Sequence, residues 1–157
     1  MTELPCPFGE AYPSPIRDMF AGEIAPWGLS GAPDPPQAKR MLDRAFRGRG
    51  GLEGLVLHSD QGRQYRHAHY RRRLGEMGIT QSMSRKGNRL DDSIMEAFFG
   101  TMKNEMFHGH EPEFRTFGDL ERAVSEYIGY CNNGRIRGKT KWMPPSKFRE
   151  ASISGSP

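Results

Sequence analysis

Asp60 and Glu96 are the two carboxylates whose placement in this 157-residue sequence suits chemistry. Thirty-five residues separate them, and Lys103 follows Glu96 by seven. Asp60 stands in His58-Ser59-Asp60-Gln61-Gly62, just after Gly54-Leu55-Val56-Leu57. That short apolar run predicts a buried strand, with Asp60 at its C-terminal end. Around Glu96, the residues Met95, Phe98, Phe99, Met102 and Met106 recur at i, i+3, i+4, i+7 and i+11, which predicts an amphipathic helix. Seven residues are close to two turns, so Glu96 and Lys103 project together, opposite the apolar stripe. Two carboxylates with hard oxygen donors suit a divalent cation, Mg²⁺ or Mn²⁺, completed by water and phosphate oxygens. Two such ions about 3.5–4 Å apart would hold the attacking and leaving oxygens of a phosphoryl transfer. A lysine beside them contacts phosphate as a point charge.

Each residue also has an ordinary reading when taken singly. Asp60 then caps a turn, Glu96 lies on a solvated helix face, and Lys103 is surface. Asp91 and Asp92 fall at the helix start, where negative charge complements the helix dipole. Only the spacing and company of these residues argue for more.

The elements that would position them follow from the pattern along the chain. Pro5, Pro7, Pro13 and Pro15 argue against a helix or a central strand in residues 1–15. Pro26, within Glu23–Ser30, suits only an edge strand or a bulge. Asp34 reads as an N-cap with Pro35 at the first helical position, and Ala38, Met41, Leu42, Ala45 and Phe46 give the apolar face of the helix they open. Arg66 to Met77 predicts a further helix seamed by Tyr70, Leu74 and Met77, closed by Gly78. Ile79 to Met83 reads as a short strand, and Ser84 to Leu90 as a basic loop leading to the Glu96 helix. Phe107 to Thr116 reads as a loop whose His108 and His110 are exposed. Phe117, Leu120, Val124, Tyr127, Ile128 and Cys131 stripe a last long helix, which makes Cys131 a core thiol. Arg135 to Lys141 reads as a basic strand or arm.

Charge sharpens this picture. The net charge is only +4, yet residues 63–89 hold eight arginines and lysines against Glu76 alone, and residues 127–157 hold six against Glu150. Residues 90–126 between them carry nine acids and three bases. Two basic blocks flanking a candidate metal site fit a polyanion that has to reach it. Mean hydropathy is −0.75, and no run approaches the ~18 apolar residues of a membrane span. Cys6 and Cys131 lie far apart, without metal-ligand spacing, which suits a reducing cytoplasmic setting and argues against zinc.

His58-Ser59-Asp60-Gln61-Gly62, Ser82-Met83-Ser84-Arg85-Lys86-Gly87 and the stretch from Asp91 to Glu105 together resemble the catalytic core of insertion-sequence transposases. These belong to the Asp, Asp-35-Glu superfamily, which also includes retroviral integrases. The likeness extends over about residues 12 to 149, with Asp91-Asp92 where the family usually has Asp-Asn. It implies an α/β, ribonuclease H-like fold and DNA cleavage and strand transfer with Mg²⁺ or Mn²⁺. It makes Asp60 and Glu96 metal ligands, and Lys103 a contact to phosphate near the scissile bond. Arg85, Lys86, Arg135 and Arg137 become further DNA-backbone contacts. It also implies a homo-oligomer acting on paired DNA ends, with no membrane partner, in the bacterial cytoplasm and at the nucleoid.

The same resemblance places the family's first catalytic aspartate directly ahead of Met1, with Met1-Thr2-Glu3 following it and residues 1–15 resembling the end of the first core strand followed by a second. The expected core is thus short of its first central strand, and the two strands flanking it lose their shared partner. An inactive, DNA-binding remnant is the alternative to an active enzyme. The organisation expected is a catalytic core over residues 1–107, a C-terminal helix and basic arm of the same domain over 108–150, and a disordered tail over 151–157.

Overall fold

The computed structural model describes residues 2–33, 35–48, 50–85 and 89–155, and of residues 89–91 the backbone only. The Asp34 N-cap, Lys86 and the last two residues lie outside the described set.

Three antiparallel strands open the chain in the order β1 (Leu4–Cys6), β2 (Gly9–Arg17), β3 (Ile24–Ser30). The proline-rich start is therefore strand, and β2 is central in its sheet, contrary to expectation. Pro13 and Pro15 are two residues apart, so their missing N–H groups fall on one edge of β2. β1 pairs with β2 only as far as Ala11, so an edge beyond it has no ladder to lose. Pro26 conforms to expectation: β3 is the edge strand, and the register slips where Pro15↔Trp27 gives way to Arg17↔Ile24.

Helix α1 (Pro35–Phe46) follows, burying Ala38, Met41, Leu42 and Ala45. Strand β4 (Val56–Ser59) then pairs in parallel with β5 (Thr80–Met83), Val56 against Thr80 through Ser59 against Met83. Between these strands the expected single helix is two, α2 (Arg63–Arg66) and α3 (Ala68–Glu76), because His67 adopts extended backbone at ψ 137°. Tyr70 and Leu74 are buried as the periodicity required.

The Glu96 helix is α4 (Arg89–Met102), and it passes at Lys103 into one π-helical turn, Lys103–Phe107. The extra residue in that turn shifts the apolar phase, so Phe107 and not Met106 becomes fully buried, stacked 5.7 Å from Phe114. Phe107 thus belongs to the core, whereas the periodicity put it in a loop. Helix α5 (Phe117–Asn133) starts at a reciprocal cap between Thr116 and Asp119 and buries Leu120, Val124, Tyr127, Ile128 and Cys131.

Arg135 to Lys141 forms no strand. A 3₁₀ turn at Gly138–Thr140 and a single bridge, Arg137 to Met143, make a tight loop held by buried Thr140. Helix α6 (Pro145–Ile153) ends the fold, so residues 151–153 are helical where a tail was expected. The Ser152 hydroxyl donates to the Phe148 carbonyl at 2.8 Å, and the Ser154 N–H to Glu150 at 3.0 Å.

Two apolar clusters result. One packs β1–β3 against α4 and α5, and the other packs α1, α3, Tyr65 and Leu57 together. Among the described residues, no backbone ladder joins the two sheets. Strand β4 consequently has one unpaired edge, and Leu55 and Val56 are 40% and 59% exposed. The expectation of a buried strand there fails for want of a second neighbour.

Candidate active site at the end of strand β4

Asp60 leaves β4 and turns at once. Its Oδ1 accepts the Gly62 N–H at 2.8 Å, an Asx turn that orients the carboxylate and leaves Oδ2 outside that bond. A Cβ at Gly62 would lie 2.8 Å from that Oδ1 and 2.6 Å from Gln64 Nε2, so a larger residue here would push both side chains aside. Half-buried Tyr65 stands nearby, and desolvation first and the Asp60 charge second push its hydroxyl up to about 12.

Ser84, fully buried just past β5, joins this strand end to the Glu96 helix. Its N–H donates to the Ser59 carbonyl at 3.0 Å, extending the β4–β5 ladder by one step. The Ser84 hydroxyl lies 3.1 Å from His58 Nε2 and hydrogen-bonds the Asp92 carboxylate in the first turn of α4. Gln61 Nε2 donates to the Ser84 carbonyl at 2.9 Å. Asp92 therefore positions, in addition to complementing the helix dipole. Glu96 follows Asp92 by four residues, one turn along the same face.

Glu96 is exposed and makes no hydrogen bond or ion pair with a described residue. Lys103, half-buried, opens the π turn, and its carbonyl accepts the His108 N–H at 2.7 Å. Sequence reasoning missed His58, Ser84 and Asp92 as a positioning set. His58 and Ser84 lie inside the quoted motifs, but only the fold shows that they meet.

Mg²⁺ binds readily through one or two carboxylates, with water and phosphate oxygens completing its shell. Asp60, oriented by its own turn, and the exposed Glu96 are each of the hard oxygen donor type that such an ion takes. Among the described residues, no group of three or more His, Cys, Asp or Glu side chains gathers as a cage.

The basic residues divide. Arg85 is exposed at the end of the β5 loop, with Lys86 beyond it outside the described residues. Arg135 is internally engaged: its guanidinium pairs with Glu105 and lies 5.4 Å from the Tyr130 ring centre. The Glu105 hydrogen bond raises Arg135 above its usual range, and Arg135 in turn holds Glu105 below the usual carboxylate value. Arg137 is half-buried, in the tight loop after α5. His108 and His110 are exposed and face Glu111 and Glu113, at 3.6 and 2.7 Å.

Residues 1–89 match the family model described as "Integrase core domain", and residues 96–153 match a second model of the same description. An uncharacterized transposase-like protein of Haemophilus influenzae is 45% identical over 156 residues, covering 98% of this chain and 70% of that protein. The putative transposase InsK for insertion sequence element IS150 of Escherichia coli is 44% identical over 149 residues, covering 95% of this chain and 52% of InsK. The chain thus spans between half and about two thirds of these two relatives. The integrase catalytic core domain of HTLV-2, in complex with magnesium, superposes with a TM-score of 0.71 at 12% identity, covering 94% of this chain and 90% of that one. The core domain of BIV integrase gives 0.70 at 15%, covering 99% and 95%. These likenesses show the ribonuclease H-like fold. By family model and by sequence relatives together, the chain belongs to the insertion-sequence transposases of the integrase-core superfamily.

Proposed function

We propose that this chain supplies the core of a DNA strand-cleavage and strand-transfer site, with Asp60 and Glu96 as ligands of Mg²⁺ or Mn²⁺. The observation that carries the reading is the Ser84 junction, which ties the strand end bearing Asp60 to the first turn of the Glu96 helix. The metal would supply Lewis-acid stabilisation at the phosphate. Asp60 and Glu96 bind it, and Lys103, two turns from Glu96, faces a scissile-strand phosphate. Arg85, Lys86 and Arg137 hold the DNA backbone without reading bases. Arg135 serves the same surface with whatever donors its Glu105 pair leaves.

The magnesium of the HTLV-2 core complex and its trimeric form support a divalent cation and self-association here. A second reading is DNA binding without catalysis, which holds if Asp60 and Glu96 hold a single ion, since bridging two calls for a further carboxylate. Cleavage and joining of labelled duplex ends in Mg²⁺ or Mn²⁺ separates the two. Activity is expected, and Asp60→Asn or Glu96→Gln abolishes it. Activity that survives Glu96→Gln overturns the metal-site assignment. Salt-dependent DNA binding with no cleavage establishes the second reading.

A further inference from the structure

Arg17, at the end of β2, and Arg137, in the loop after α5, converge over Gly22. A Cβ built on Gly22 would lie 3.1 Å from Arg17 Nη2 and 3.4 Å from Arg137 Nη1, and Gly22 has φ +79°. A glycine here leaves room for both guanidinium groups and takes the left-handed turn without strain. Each is held on a braced loop. The Asp18 carboxylate accepts the N–H groups of Phe20 and Ala21 at 3.2 and 2.7 Å, and the Gly22 N–H reaches the Asp18 carbonyl at 2.9 Å. The Arg137 carbonyl accepts the N–H groups of Thr140 and Trp142 and the Thr140 hydroxyl.

Among the described residues, no carboxylate pairs with either arginine. Those nearby are committed elsewhere: Asp18 to its own turn, Glu23 to Arg149 at 2.7 Å, and Glu105 to Arg135. Burial first and the Arg137 charge second lower Arg17 from its usual value. The two arginines line a cavity of about 510 Å³ with Phe98, Tyr127 and Ile136 in its walls. Ala97 and Thr101 reach it from α4, about 100° and 140° round the helix from Glu96.

We propose that Arg17 and Arg137 form a two-guanidinium clamp for a phosphate group carried by a nucleoside, with a DNA-strand phosphodiester as its occupant. Two forks aimed at one place match a tetrahedral oxyanion, which relieves their mutual repulsion. The apolar walls give an attached sugar and base a surface that a bare oxyanion would not need. The inference rests on the DNA reading above for its occupant, and on the arginine geometry alone for its chemistry.

The test uses the chain as it stands, with Arg17→Gln, Arg137→Gln and the double variant, and Arg85→Gln as a control away from the clamp. Anisotropy of a labelled duplex is measured across a salt series, alongside melting with inorganic phosphate or a deoxynucleoside monophosphate. Each clamp variant is expected to weaken duplex binding about tenfold, as loss of a charge-assisted hydrogen bond does. Each also lowers the salt slope by about 0.9, and the double variant adds little because both arginines hold one phosphate. Without anion, Arg17→Gln melts no lower than the parent, since it removes a repelled charge. If it fails to fold, Arg17→Lys replaces it; this variant keeps the charge but loses the fork, and binds duplex more weakly than the parent. Duplex binding that is weakened by Arg85→Gln but not by either clamp variant overturns the clamp and leaves the DNA reading standing. Phosphate stabilisation lost in Arg17→Gln, with no duplex binding by the parent, assigns the clamp to free phosphates and overturns the DNA reading. No response to phosphate, monophosphate or duplex overturns the clamp.

Discussion

Ser84 shows how much can depend on one buried hydroxyl. It touches His58 and Asp92 and caps the β4–β5 ladder, so it sets where α4 begins relative to Asp60. Ser84→Ala leaves the Asp92 carboxylate without that donor and is expected to destabilise the fold by about 1–3 kcal/mol in urea denaturation. An unchanged midpoint would mean that the junction is incidental. The Glu105–Arg135 pair makes a different residue-scale prediction. Arg135 holds the Glu105 carboxyl below its ordinary value, so its stabilisation is present above the unfolded pKa of about 4.3 and is lost as pH falls through the lower folded value. The Glu105 side chain is 41% exposed, so water and salt screen the pair. Stability of Glu105→Gln should therefore fall less steeply with acid than that of the parent, by a margin that added salt narrows.

The π turn at Lys103–Phe107 does at the level of an element what Ser84 does for a residue. It inserts one residue at the end of the Glu96 helix, turning Phe107 into the core and leaving Lys103 at the junction. Such turns are frequent at functional sites, which fits the role proposed for Lys103. Phe107 is 1% exposed and stacks on Phe114, so Phe107→Ala should cost about 3–5 kcal/mol, read as a drop in melting temperature. A loss below about 1 kcal/mol would show that Met106 can take its place and that the turn is not structurally required.

At the scale of the whole molecule, the two sheets share no ladder among the described residues, and β4 exposes Val56 on a strand whose second edge has no partner among them. Open apolar edges recruit other strands, so the chain should self-associate with rising concentration. Val56→Lys is expected to lower the mean mass in light scattering while leaving the helical signal intact. Equal masses for both chains would place any association elsewhere. The basic surface predicts DNA binding that is indifferent to sequence and falls steeply with salt. Arg85→Ala with Lys86→Ala should flatten the salt slope by up to about two units.

What the sequence determined by itself is whatever depends on near neighbours along the chain. The apolar faces of α1 and α5, the core placement of Cys131, the strand that delivers Asp60 and the helix that carries Glu96 all follow from local periodicity. Local chemistry was overridden at several places. Pro13 and Pro15 were tolerated in β2 beside a partner strand that ends early, and α2 and α3 parted at His67. The tertiary structure alone decided which polar groups meet. Ser84 finds Asp92 and His58, Arg135 finds Glu105, and Arg17 comes beside Arg137 from the far end of the chain. Such pairings have no period to betray them, because a buried or charged group is satisfied by whatever the folded chain brings near it, at any separation in sequence.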